Sequence, residues 1–208
     1  GEVNTRSYFI NRTHDLPVIS IATDSLNLWD TNTGIYVLGP PGYSNNFPYM
    51  GANFWEKWKR PGHIEMFETN DVEVISQNLN ISISGNYSRA YAQKSFNFEA
   101  KDALGQSSIP YQIFPDLPIA EFKAFKVRNG GQDWPFTTLR DGMNHKLTEG
   151  YMNLDHQQNR PAAIYLNGQY WGILNITEKI DEDYINEHYP EVDKDSIDLL
   201  ENNATELL

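Results

Sequence analysis

Between Arg60 and Ala100 the chain alternates apolar and polar residues with few interruptions. "RPGHIEMFE" alternates from His63 onward, and a turn at Thr69-Asn70-Asp71 separates it from "VEVISQ". "LNISISG" and "KSFNFEA" repeat the same period. Side chains of a strand point to opposite faces in turn, so a two-residue period marks segments with one buried and one wet face. Residues 60–100 therefore read as three or four consecutive antiparallel strands. A chain with such a block must cover one face of a sheet.

The remaining segments supply more strands and little helix. "LPVISIATDSLNLWD" (residues 16–30) opens with a β-prone run and turns polar, and "GIYVLG" (34–39) is a further strand candidate bounded by glycines. Residues 40–54 form a loop dense in Pro, Gly and Asn. "EFKAFKVRNGG" ends a strand on two glycines. "PFTTLRDGMNHKLTEGY" is the best early helix, with Thr137 or Thr138 as cap and Leu139, Met143 and Leu147 recurring every fourth residue. Its Gly142 weakens it by about 1 kcal/mol relative to Ala. In "AAIYLNGQYWGILNITE" the pair Asn167-Gly168 sits between two apolar runs, the favoured type I′ hairpin turn. A short amphipathic helix stopped by Pro190 and a second from Ser196 complete the reading. Strands, one helix, a hairpin and terminal helices add up to an α+β fold: a mainly antiparallel sheet with one packed helix and a short helical C-terminal segment.

Charge excludes several functions. The formal net charge is -12, and 11 of the 28 acidic but only 2 of the 16 basic residues fall in residues 178–208. Non-specific nucleic-acid binding needs basic surface, and no basic stripe is present. No apolar run reaches the 18 or so residues of a membrane-spanning helix. With no cysteine there is no disulfide, thiolate metal site or cysteine nucleophile. His14, His63, His145, His156 and His188 show no zinc-type spacing. The sequons at Asn11, Asn80, Asn86, Asn175 and Asn203 reflect an Asn-rich chain.

Three stretches carry candidate chemistry. "SGNYSRAYAQKSFNF" (84–98) joins a small-residue turn to a strand lysine. Backbone N–H groups of such a turn can cradle an anion, and Lys94 can reach phosphate as a point charge. The stretch also fits an ordinary surface hairpin with an exposed lysine. "RNGGQDWPFTTLRD" sets Arg128, Asp133, Arg140 and Asp141 around a Gly-Gly turn, either as a salt-bridged turn or to offer Lys94 a carboxylate. "NITEKIDEDY" leaves a strand and enters an acidic helix start. Which of Asp133, Asp141 and Glu178 faces Lys94 stays open at this level.

These segments, taken with "WEKWKRPGHIEMFE", "RPAAIYLNGQYWGILNITEKIDEDYI" and "IDLLEN", resemble in their order the spore coat protein H (CotH) kinase family over roughly residues 5–200. The resemblance implies an atypical protein kinase that passes phosphate from ATP, with a divalent metal such as Mg, to Ser or Thr of a protein. It implies that residues 1–177 form a β-rich small lobe and 178–208 the hinge and start of a large lobe. Gly85, Ser88, Arg89, Lys94, Asp141 and Glu178 become the nucleotide-side residues: Lys94 on phosphate, "LRD" opening the bracing helix, and Glu178 at the hinge. The family's catalytic and metal-binding aspartates belong to motifs that this sequence does not contain up to Leu208, so the 208 residues are expected to be inactive alone, and no metal ligand is assigned in them. Family members imply an exported, cell-surface or spore-coat location in bacteria. The alternative reading is a non-catalytic surface module that binds carbohydrate or protein, supported by an aromatic content of 13%.

Overall fold

A computed structural model describes residues 5–10, 14–201 and 206–207. Seven strands close into a barrel: β1 (Val18–Ala22), β2 (Arg60–Phe67), β3 (Glu73–Ser84), β4 (Ser95–Glu99), β5 (Ala124–Arg128), β6 (Asn159–Leu166) and β7 (Gln169–Glu178). The order around it is β1-β2-β3-β4-β5-β7-β6, and β6 returns to β1. Every neighbouring pair is antiparallel except the closing one, where Val18 to Ile21 run parallel to Ala163 to Leu166. The expected α+β fold, a mainly antiparallel sheet with one packed helix in the manner of a kinase small lobe, is thereby corrected to a closed barrel with few, mostly short helices.

The alternation fixes which side chains enter the barrel. Ile19 and Ile21, Ile64 and Met66, Leu79 and Ile81, Phe96 and Phe98, Phe125 and Val127, and Leu174 and Ile176 are all buried in one cluster. Each large side chain so placed contributes about 1.5–3 kcal/mol relative to exposure. Phe98 lies opposite Phe125 in register, with ring centroids 5.1 Å apart. Closure removes the exposed sheet edges that an open sheet would carry. "VEVISQ" and "LNISISG" form one long strand, so the block 60–100 contains three strands rather than four. On the outer face, Arg6 reaches Glu73 (3.0 Å) and Ser76 (2.6 Å), so that residues 5–10 lie across β1, β2 and β3.

Three α-helices occur among the described residues: α1 (Ser25–Trp29), α2 (Arg140–Thr148) and α3 (Glu182–His188). Helix α2 is where expected, but it is not packed into the core: none of its residues is buried, Leu139, Met143 and Leu147 are more than half exposed, and it meets the barrel through Asp141 on Arg128 and Gly142 beside Asn159. Neither Thr137 nor Thr138 caps it; the buried Asp133 carboxylate accepts the amide of Arg140 instead (3.1 Å). "GIYVLG" is not a strand, although Ile35 and Tyr36 are buried. The second helix expected from Ser196 is not formed: a 3₁₀ turn at Lys194–Ser196 precedes β8 (Leu200–Glu201), which pairs with β9 (Glu206–Leu207). The Asn-Gly hairpin is as expected, with φ of 48° at Asn167 and 79° at Gly168, the left-handed pair that a type I′ turn requires.

Candidate functional site

The β3–β4 connection, residues 85–94, is held at one end of the barrel. Gly85 has a φ of 103°, and a Cβ there would lie 2.5 Å from Ser88 Oγ, so this turn accepts only glycine without rearrangement. A 3₁₀ turn follows at Tyr87–Ala90 and buries Ser88. Arg89 folds back over the Trp55 ring, 4.8 Å from its centroid. Its Nε donates to Gly85 O (2.6 Å), and Nη1 donates to Phe54 O and Trp55 O (3.2 Å each). The guanidinium is thus engaged in holding the loop, and burial draws its pKa down.

Lys94 is only 4% exposed. Its Nζ donates to Arg89 O (2.7 Å) and Tyr91 O (3.0 Å) and sits 3.9 Å from the centroid of Phe54. Burial, with the nearby Arg89 charge, lowers its pKa to about 8. Among the described residues no carboxylate forms an ion pair with it. Asp141 pairs with Arg128, Asp133 with Arg140, and Glu178 with His188. Asp133 is held well below the usual carboxylate range, first by the Thr137 hydroxyl.

Glu178 is brought to the other end of the barrel. Phe98 of β4 faces Phe125 of β5, and Phe125 faces Glu178 of β7. Lys94 lies four residues before Phe98, just ahead of the start of β4, about 13 Å at the rise of an extended strand. Glu178 is buried, accepting the Gln158 amide (2.8 Å) and facing His188 Nε2 (2.6 Å). Gly85, Ser88, Arg89 and Lys94 therefore share one loop, whereas Asp141 and Glu178 belong to separate networks.

Two contacts tie α3 to the barrel, His188 to Glu178 and Glu187 to the Lys123 amide (2.7 Å). The Glu178 hydrogen bond raises the His188 pKa, and burial raises that of Glu187 to about 7. A raised His contributes stability that is full below its ordinary value of about 6.5 and lost as pH rises through the raised value. A raised Glu behaves alike: its contribution is full below about 4.3 and lost as pH rises through about 7. Both act in one direction, so α3 should detach more readily at pH 8 than at pH 5.5. Amide exchange at Tyr184–His188 should be faster at pH 8 after correction for intrinsic rates. Glu187→Gln, which keeps the acceptor and removes the charge, should reduce the difference. An unchanged pH dependence would remove Glu187 from this role.

Several residues absent from the sequence reading hold the loop. Tyr36 Oη donates to Ala92 O (2.9 Å) and accepts from the Lys94 amide (2.8 Å) and Trp171 Nε1 (3.1 Å). Gln93 donates to Trp171 O (2.8 Å) and accepts from Trp134 Nε1 (3.1 Å). Asn129, 1% exposed, binds both arms of the loop. Its position before Gly130-Gly131 was the one available signal, since Asn before a glycine turn commonly bonds local backbone.

A buried lysine without a carboxylate partner fits an anion, because an unpaired buried cation is costly and a phosphate would offset its charge. A metal is another matter: among the described residues no three His, Asp or Glu come together as a cation site. Nor, among them, is any helix long and apolar enough to cross a membrane.

The class defined by this geometry is a closed β-barrel whose β3–β4 loop encloses a lysine with no counter-carboxylate among the described residues. The family model described as CotH kinase protein matches residues 81–206, more than half of the chain, and the chain belongs to that family. The match contains the loop, Asn129 and Glu178, and leaves β1 and β2 outside. No curated protein matches the chain.

Proposed function

We propose that this chain provides the phosphate-binding part of an ATP-dependent protein phosphotransferase acting on Ser or Thr, with Lys94 the residue that meets the nucleotide's phosphates. The single observation that carries the reading is the buried Lys94 ammonium, held by two carbonyls and an aromatic face with no carboxylate ion pair among the described residues. Membership of the CotH kinase family supports it. Positioning and charge stabilisation are most of what a protein contributes to phosphoryl transfer, and a lysine held in a loop just ahead of a strand serves both. Gly85 lets the turn close, and Arg89 holds the loop rather than the phosphate. A divalent metal, when bound to the nucleotide, supplies further charge neutralisation. Asp141 and Glu178 act at a distance, Asp141 by holding Arg128 and Glu178 as the buried anchor of α3 at the small-lobe boundary near residue 178. The family further supports an exported, cell-surface or spore-coat setting for the protein.

The test is ATP binding as a function of pH. Lysine attracts phosphate only when protonated, and Lys94 loses its proton near pH 8. Titration calorimetry of the chain with MgATP between pH 7 and 9.5 should show affinity falling through about pH 8, although bound phosphate will itself push the transition upward. Absence of binding at pH 7, or affinity indifferent to pH over this range, would sink the reading.

A further inference from the structure

We propose that Asn129 is the positioning residue for the Lys94 loop: its side-chain amide fastens both arms of the loop and so sets where the Lys94 ammonium is presented. The proposal rests on the phosphate-binding reading for its functional consequence, but not for its geometry.

Asn129 stands just past the end of β5 and is buried. Its two halves do different work. Oδ1 accepts from Ser95 Oγ and from the Gly131 amide (3.0 Å each), and the Asn129 amide donates to Ser95 Oγ (3.0 Å). That half binds β4 to the Gly130-Gly131 turn. Nδ2 donates to Ser88 O (3.3 Å) and Gln93 O (2.8 Å). Those carbonyls lie on either side of Arg89 and Tyr91, whose carbonyls receive the Lys94 ammonium. One amide group therefore draws together the two ends of the segment that encloses Lys94. A buried primary amide can donate twice and accept twice, and every one of those capacities is used here. With Nδ2 removed, Gln93 O loses its donor and Ser88 O keeps only the Tyr91 amide (3.2 Å), and opening the loop to water is the least costly way to satisfy them.

Asn129→Asp separates the two halves. It is isosteric, keeps an oxygen for Ser95 and Gly131, and places a second oxygen against Ser88 O and Gln93 O. The loop half should fail while the β4 half persists. Three readouts follow on the full chain. In NMR titration of the lysine side chains, Lys94 should move from about 8 toward the ordinary lysine value of about 10.4 as water reaches it. Amide exchange over residues 88–94 should accelerate at least tenfold, with that of Phe96 and Phe98 unchanged. MgATP affinity at pH 7 should fall about tenfold.

Phe98→Leu serves as the control, since it weakens the core without touching the loop; it should lower the melting temperature and leave all three readouts in place. Where Asn129→Asp does not fold, Asn129→Ser removes the same Nδ2 contacts without adding charge. An unchanged Lys94 titration and unchanged loop exchange would overturn the proposal and reduce Asn129 to packing. If the wild-type chain binds no ATP, the phosphate reading fails, while the Lys94 titration still decides the role of Asn129. A shifted titration with unaltered ATP affinity overturns the functional half of the proposal.

Discussion

Phe98→Ala is expected to destabilise the barrel by about 3–5 kcal/mol, the usual range for removing a fully buried phenylalanine. Phe98 is 0% exposed, packs 5.1 Å from Phe125, and stacks at 6.3 Å with Phe96, all inside the closed sheet. A barrel interior collapses poorly onto a void because its wall is a continuous ladder of backbone hydrogen bonds. Domains of this size hold only about 5–15 kcal/mol in total, so the loss is a large fraction of the whole. Urea unfolding followed by tryptophan fluorescence should show the midpoint fall sharply with little change in slope. Phe136→Ala, at a site 72% exposed, should stay within about 0.5 kcal/mol. Equal effects at the two positions would mean that Phe98 does not occupy the core.

Lys94→Ala should weaken ATP binding by roughly ten- to one-hundredfold at pH 7, as a hydrogen bond to a charged group contributes about 1.5–3 kcal/mol. The stability effect should be smaller and of either sign. Truncation ends the cost of burying an ammonium but leaves the carbonyls of Arg89 and Tyr91 without a donor. Lys94→Arg should not rescue binding, because the larger guanidinium does not fit against Phe54 at 3.9 Å. The comparison is by calorimetry with MgATP, after circular dichroism has shown each variant folded. Equal affinity in wild type and Lys94→Ala would take the lysine out of the site.

Much of the strand pattern was legible because alternation is local. Ile64, Met66, Leu79, Ile81, Phe96 and Phe98 all fall on the buried side as their spacing demands. The Asn167-Gly168 turn was legible for the same reason, since its chemistry lies in two residues. Closure was not. Nothing in "VISIA" states that its second edge will be taken by residues 163–166, because pairing across that distance leaves no local periodicity. The four-residue spacing of Leu139, Met143 and Leu147 suggested a packed helix, yet periodicity reports a stripe and not whether anything covers it.

The site divided along similar lines. Gly85, Ser88, Arg89 and Lys94 are adjacent in sequence and were found together. The carboxylates sought for Lys94 lie elsewhere in sequence, and each found another basic partner: Arg128 for Asp141, Arg140 for Asp133, His188 for Glu178. Arg89 was assigned to the nucleotide side from the resemblance, and its Nε and Nη1 donate to the chain's own carbonyls, a role that its position in the sequence does not show. The partners that hold the loop, Tyr36 and Asn129, come from segments read as a strand and a turn.

The parallel seam between β1 and β6 sets a timetable. Its partners, such as Ile19 and Ile164, are separated by on the order of 145 residues, so this contact raises the contact order of the whole chain and slows folding. During synthesis β1 can pair with β2 soon after residue 67 emerges, but its other edge stays unpaired until β6 has left the ribosome. For that interval the nascent chain is an open, apolar meander with a bare edge, the form in which β proteins aggregate. Expression at lower temperature or with a chaperone, rather than repair of the core, is the remedy that this topology recommends.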